Sequence, residues 1–325
     1  MNSQIHFNSK GLRLALALSP IILLTASIVV NFLSMFLEPY GAEFSSFAEQ
    51  ELGDSVDIYI PGAGFSGFFY TLGRLQALHD TSSHSSKAFE YYCFSAGCLA
   101  LVTSLLKLPI DSAIEIAHSS RNQWIMGEIS RYDVVGHFVD GLLCHAEENA
   151  TEQQSITIDG GSTEGLINQT NATQRNLINP TQYTSNRNGN SLQDVLPRIN
   201  VITSTWNRQH LFSRSIQKPS SVEHLRRLLI QTTWIPFVTG SSFWKQDDNY
   251  YHNDGAFVGL LQSLIPLSDS EPLFQPRRHR HSLLLPWNLD LLSHSLDILI
   301  GREKAVQYWT EGLKRGAHNP NVNSV

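Results

Sequence analysis

Three short stretches of the sequence carry residue types and spacings suited to covalent chemistry. In Cys93-Phe94-Ser95-Ala96-Gly97 a serine sits where an apolar run of strand character passes into an apolar run of helical character. A serine at such a turn is held clear of the sheet, and the amides and dipole of the following helix favour a developing oxyanion. Ala96 and Gly97 relieve crowding on one side, while Cys93 stands where the pattern Gly-x-Ser-x-Gly has its first glycine. Cysteine is small enough for that place but narrows the backbone geometry open to it. The competing reading is a serine that only caps the next helix.

The second stretch is Asp254-Gly255-Ala256, preceded by Tyr250-Tyr251-His252. A carboxylate on a strand end can accept the proton of a serine hydroxyl directly, with no histidine between them. Asp-Gly is also a common turn dipeptide, and Asp159-Gly160-Gly161 repeats the pattern. That rival lies in polar sequence that offers nothing to position it, so Asp254 is favoured. His252 and His294 are the histidines that a Ser-His-Asp arrangement would draw on, but no feature of the sequence places either one. The third stretch, Gly62-Ala63-Gly64-Phe65-Ser66-Gly67, joins an apolar strand pattern to a helical one. Glycines there let the chain turn tightly and present N–H groups at a helix N-terminus, where an anion can be held. A dinucleotide fingerprint would need an acid at the end of a second strand, and Asp80 falls at the end of a helical pattern instead.

The elements that must position these groups alternate. Val56 to Ile60 reads as a buried strand and Phe68 to His79 as a helix with Phe69, Leu72, Leu75 and Leu78 on one face. Phe89 to Phe94 reads as a strand and Ala96 to Lys107 as an apolar helix, with Pro109 and Asp111 opening another. Arg198 to Trp206 reads as a strand, and Val222 to Thr232 as a helix with Arg226 and Arg227 on its polar face. Leu283 to Trp287 and Ala305 to Lys314 read as a further strand and a closing helix. This alternation predicts an α/β domain whose sheet is mainly parallel, with helices on both faces.

In order and context the three motifs resemble the patatin-like phospholipase family, in particular its animal branch of acylglycerol and phospholipid hydrolases. The resemblance runs from about Val56 to Gly259, and Leu229 to Phe237 is similar to the helix and Ile-Pro bend that precede the family's aspartate. It implies a patatin-like fold with Ser95 as nucleophile and Asp254 as its catalytic partner. It further implies an oxyanion hole in Gly62, Ala63, Gly64, Phe65 and Gly67, with main-chain N–H groups near Gly64 and Phe65 as donors. Cys93, Ala96, Gly97, Gly255 and Ala256 would support the two turns. The implied substrate is a phospholipid or acylglycerol, with no cofactor and no metal. Two positions depart from the family: Ser66 stands where Arg or Lys is frequent, and Cys93 where glycine is usual. Cys93 keeps open a second reading, a patatin-like membrane protein that binds lipid with little or no turnover. A third is a membrane-anchored interaction protein.

The remaining composition bounds the setting. The chain has 325 residues, 42% hydrophobic and 16% charged, with a formal net charge of -6. Few charges and mild acidity argue against a disordered chain and against a nucleic-acid partner. Three cysteines make no disulfide framework, and Cys93 and Cys98, inside apolar runs, read as small hydrophobes. Following a short tail at 1–13, the run at 14–37 is long enough to cross a membrane, which takes roughly 20 residues. Lys10 and Arg13 precede the run and Glu38, Glu43 and Glu49 follow it, so a retained anchor would put the rest of the chain on the lumenal or extracellular side. A cleaved signal peptide and a secreted protein are the alternative. The catalytic domain then spans 54–325, interrupted at about 145–196 by an Asn-, Thr- and Ser-rich insertion expected to lack a core. Its Asn149, Asn168 and Asn171 head glycosylation sequons, in keeping with that topology. The basic run Arg277 to His281 reads as a solvated loop.

Overall fold

The computed structural model describes residue 37 and residues 55–62, 64–82, 88–145, 192–206, 213–235, 237–247, 250–255, 281–286, 288–295, 297 and 300–317. Ala63, Ala256, the rival Asp159, the three sequons, the run at 14–36 and Arg277 to Arg280 lie outside them. Among the described residues, β1 (Ser55–Ile60), β2 (Ala88–Cys93) and β3 (Ile199–Trp206) pair in parallel in that order, with β7 (His281–Ser282) parallel on the far side of β1. β4 (Ser213–Gln217) and β6 (Tyr250–Asn253) pair antiparallel with β3, and β5 (Lys245–Asp247) antiparallel with β6. The sheet is therefore mixed, where the alternation of elements predicted a mainly parallel one. Connection length explains the difference. Two residues separate β5 from β6, and so short a link permits only an antiparallel hairpin, whereas β1 and β2 are joined through a long helix.

That helix, α1 (Gly64–Ser82), starts four residues before the predicted one, so most of the glycine motif is its first turn. α2 (Ala96–Leu105) is buried along its whole length. α3 (Ile110–Ile125) opens after Pro109 as expected, and α4 spans 134–145. The nominal insertion is folded at its end: a helical turn at Leu192–Val195 leads into β3, and Val195 and Leu196 are both buried in the core. α5 (Val222–Thr232) matches its predicted bounds, with Ser221 as N-cap to the His224 amide. Arg226, on its polar face, forms a bidentate pair with Asp140 of α4. α6 (Leu289–Ser293) is short.

The closing helix α7 (Arg302–Ala317) lies against α1. A β-carbon on Gly73 would stand 2.2 Å from the Trp309 carbonyl oxygen, and one on Gly312 2.1 Å from that of Tyr70. Small residues on both helices thus let the backbones touch. The strand expected at Leu283 to Trp287 is displaced to His281–Ser282, though the Leu283 amide still donates to Tyr59. Leu37, the last residue of the run expected to form the anchor, is 2% exposed in the main core and bridges Leu285, whereas 14–36 lies outside the described residues. No helix among the described residues is long and apolar enough to cross one.

Candidate active site

Phe94 and Ser95 make the turn between β2 and α2. Ser95 adopts φ 52° and ψ -141°, a conformation sparsely populated by non-glycine residues that costs about 1–3 kcal/mol and persists only where neighbours enforce it. The neighbours are specific. The Ser95 amide donates to Thr232 Oγ1 at 2.9 Å, and that hydroxyl donates to the Ile202 carbonyl at 2.6 Å. The Gly97 and Cys98 amides donate back to Phe94 and Ser95 at 3.1 and 3.0 Å. A β-carbon on Gly97 would come within 2.3 Å of the Pro61 carbonyl, and one on Gly62 within 2.4 Å of Ser95 Cβ. The Ser95 side chain makes no capping hydrogen bond to α2, which removes the reading of a mere helix cap.

Cys93 and Cys98 are not separate small hydrophobes: they form a disulfide, with their Cα atoms 4.9 Å apart. Cys93 keeps a negative φ in register with β1 and β3, so the glycine usual at this place is not demanded by the backbone here.

In the glycine motif, Gly64 holds φ 61°, and a β-carbon there would meet the Ser295 carbonyl at 1.9 Å. The same carbonyl accepts the Phe65 amide at 2.8 Å. One of the two amides expected to hold an oxyanion is therefore committed to the chain itself, and a substrate oxygen would have to displace Ser295 from it. Ser66, where the resembled family frequently has Arg or Lys, has a buried hydroxyl that donates to the Leu291 carbonyl at 2.6 Å, tying α1 to α6. Gly67 is buried in the first turn of α1.

Asp254 reaches the same region from the opposite direction. Val201 pairs with both Cys93 and Gln217, and Ser204 with both Asn253 and Arg214. β2 and β6 therefore share the edge of β3 opposite β4. They run toward each other and end on either side of Ile202 and Thr203. Gly255 seals the junction, since a β-carbon there would be 2.5 Å from Phe94 Cβ and 2.6 Å from the Ile202 carbonyl. Asp254 is 6% exposed. Its amide is held by the Trp234 carbonyl (3.0 Å) and Asn253 Oδ1 (2.8 Å), and its carbonyl by Ser204 Oγ (2.6 Å). His252 lies in β6, paired with Thr205 and Lys245. His294 Nδ1 is engaged with the Asp290 carbonyl and the Tyr308 hydroxyl.

Ser95, Ala96, Gly64 and Phe65 line one pocket, of about 830 Å³ including its open mouth. The rest of its wall is largely apolar: Phe68, Phe69, Leu99, Val135, Phe138 and Ile235 contribute, and Phe68 meets Phe138 edge-on at 5.4 Å. His118 also lines it. Burial, then the charge of Arg121, lowers its pKa, with a hydrogen bond at the Ile300 backbone opposing, so its imidazole is neutral at neutral pH. The sequence reading missed this wall. α4 was recoverable from Val134, Val135, Phe138, Val139, Leu142 and Leu143, which recur at helical spacing and are all buried. No protein-family model matches the chain, and comparisons with curated proteins and with solved structures return no match.

Proposed function

We propose that this chain is a lipid acyl hydrolase of the patatin-like type, with Ser95 as nucleophile and Asp254 as proton acceptor. The observation that carries the reading is a serine in an enforced left-handed elbow, its hydroxyl not spent on capping α2, at the wall of a largely apolar pocket. In this mechanism Asp254 takes the Ser95 proton as Oγ attacks a fatty-acyl ester carbonyl. The tetrahedral intermediate collapses, the C–O bond to the alcohol breaks, and the alkoxide leaves with the proton held by Asp254. Water then gives its proton to Asp254, adds to the acyl-enzyme, and releases the fatty acid as Ser95 recovers its hydrogen. Each acyl methylene buried against the pocket's apolar wall contributes about 0.8 kcal/mol. The substrate is a phospholipid or acylglycerol drawn from a membrane, to which the apolar run ending before Leu37 holds the domain on the lumenal or extracellular side.

The Phe65–Ser295 hydrogen bond favours the second reading, lipid binding with little turnover, because a missing oxyanion donor typically costs about 3 kcal/mol of barrier. A fluorophosphonate probe separates the two. The hydrolase labels covalently and releases fatty acid from a short-chain ester, and Ser95→Ala loses both, with activity down by at least ~10³-fold. Undiminished ester release by Ser95→Ala would sink the mechanism. A wild-type chain that neither labels nor turns over, yet retains lipid through purification, would establish the binder.

A further inference from the structure

The disulfide spans the element that carries Ser95. Cys93 is the last residue of β2 and Cys98 the third of α2, so the bridge joins the incoming strand to the outgoing helix across the serine. The hydrogen bonds at the elbow act within the turn, from the Phe94 amide to the Ile60 carbonyl of β1, or from the Ser95 amide to Thr232, and none of them ties β2 to α2 across the serine beyond the turn itself. The covalent link instead sets how far the first turn of α2 can swing from the end of β2. That swing is the motion through which Ser95 could relax to a negative φ.

We propose that the Cys93–Cys98 disulfide is a positioning device for Ser95, formed as the chain folds in an oxidising compartment; this rests on Ser95 being the nucleophile. Both cysteines are 0% exposed. A reductant in bulk solvent has no route to the sulfurs of the folded protein, so the bridge is a permanent part of the site and not a switch. It must close before α2 seats on the sheet. Two protein thiols exchange with one oxidised glutathione, or with the disulfide of a thiol oxidoreductase. One S–S bond forms as another breaks, and the two protons leave on the two product thiols. The position that the resembled family gives to glycine needs no left-handed φ here, and its side chain serves instead as an attachment point.

Two measurements on the full chain test this. In the first, protein purified without reductant is alkylated in denaturant before and after reduction, and the modified cysteines are mapped by mass spectrometry. Cys144, exposed and outside the bridge, should react in both samples, and Cys93 and Cys98 only after reduction. Reaction of Cys93 and Cys98 before reduction would overturn the bridge whether or not the protein is an enzyme. The second follows fluorophosphonate labelling and short-chain ester turnover in Cys98→Ala, with Cys93→Ala/Cys98→Ala as a second variant and Cys144→Ala as control. A positioning role predicts labelling and kcat about 10- to 100-fold lower with KM within about twofold, and no change in the control. Wild-type chain refolded from the reduced state with oxidised glutathione should regain the full labelling rate, and chain refolded in dithiothreitol should label as slowly as the bridge-less variants. Variants that melt earlier but label at the wild-type rate below their melting point would show a structural bridge only and refute the positioning role. A wild-type chain that never labels, with its bridge intact in the first measurement, would instead locate the failure in the nucleophile assignment.

Discussion

Ser95 keeps its left-handed backbone because Gly62 leaves room beside its Cβ, Gly97 lets α2 approach the Pro61 carbonyl, Gly255 packs against Phe94, and Thr232 holds its amide. The motif made Gly97 expected, but the reason it must be glycine is the Pro61 carbonyl on the neighbouring strand end. Gly97→Ala should therefore lower stability by about 1–3 kcal/mol in denaturant titration and abolish fluorophosphonate labelling together. A fully active alanine variant would contradict the contact. His79 gives a second residue-scale expectation. It lies between the Tyr91 hydroxyl and Ser104 Oγ, and burial, then the charges of Arg198 and Lys107, lowers its pKa to about 4 from an ordinary 6.5. Between those values the unfolded chain takes up a proton that the folded chain refuses, so stability is fully present above 6.5 and falls as pH drops through that window. Urea unfolding of wild type should weaken from pH 7 to pH 5, and His79→Gln should flatten the dependence. A slope unchanged by the substitution would assign it to other groups.

The elements differ in how much their own sequence reveals. α5 was legible to the residue because Ser221 caps it and a strongly amphipathic run follows. α1 was read as starting late because its first turn is rich in glycine, which disfavours a helix unless, as here, the Phe65 amide and the Ser66 hydroxyl are tied to α6 and the segment after it. The direction of β6 was not read at all, although the two-residue link to β5 demanded it. The α1–α7 crossing depends on Gly73 and Gly312, and neither helix shows that requirement by itself. Gly312→Leu should force the helices apart and destabilise by about 1–3 kcal/mol, with a lower Tm by calorimetry. An unchanged Tm would mean that the helices tolerate separation.

At the scale of the molecule, Leu37 divides the N-terminal run into a part outside the described residues and an end that belongs to the core. Leu37→Ala should cost about 2–4 kcal/mol in unfolding of the domain, whereas a residue held in lipid would leave that unfolding unchanged. For the proposed topology, chain made in a eukaryotic secretory host should shift in mobility on deglycosylation through Asn149, Asn168 or Asn171. The absence of a shift would count against a lumenal domain.

What the sequence determined by itself was local: where strand pattern turns into helix, which serine and which aspartate lie on turns, and which segments are too polar to hold a core. Those features rest on side-chain periodicity and on backbone preferences of one to four residues, and neighbouring residues suffice to read them. The tertiary structure alone decided that β2 and β6 end face to face, that Cys93 joins Cys98, that Ser295 takes the Phe65 amide, and that α3 and α4 wall the pocket. Most of these contacts join groups far apart in the chain. Even Cys93 and Cys98, close in sequence, are brought together only by the turn that the rest of the fold enforces.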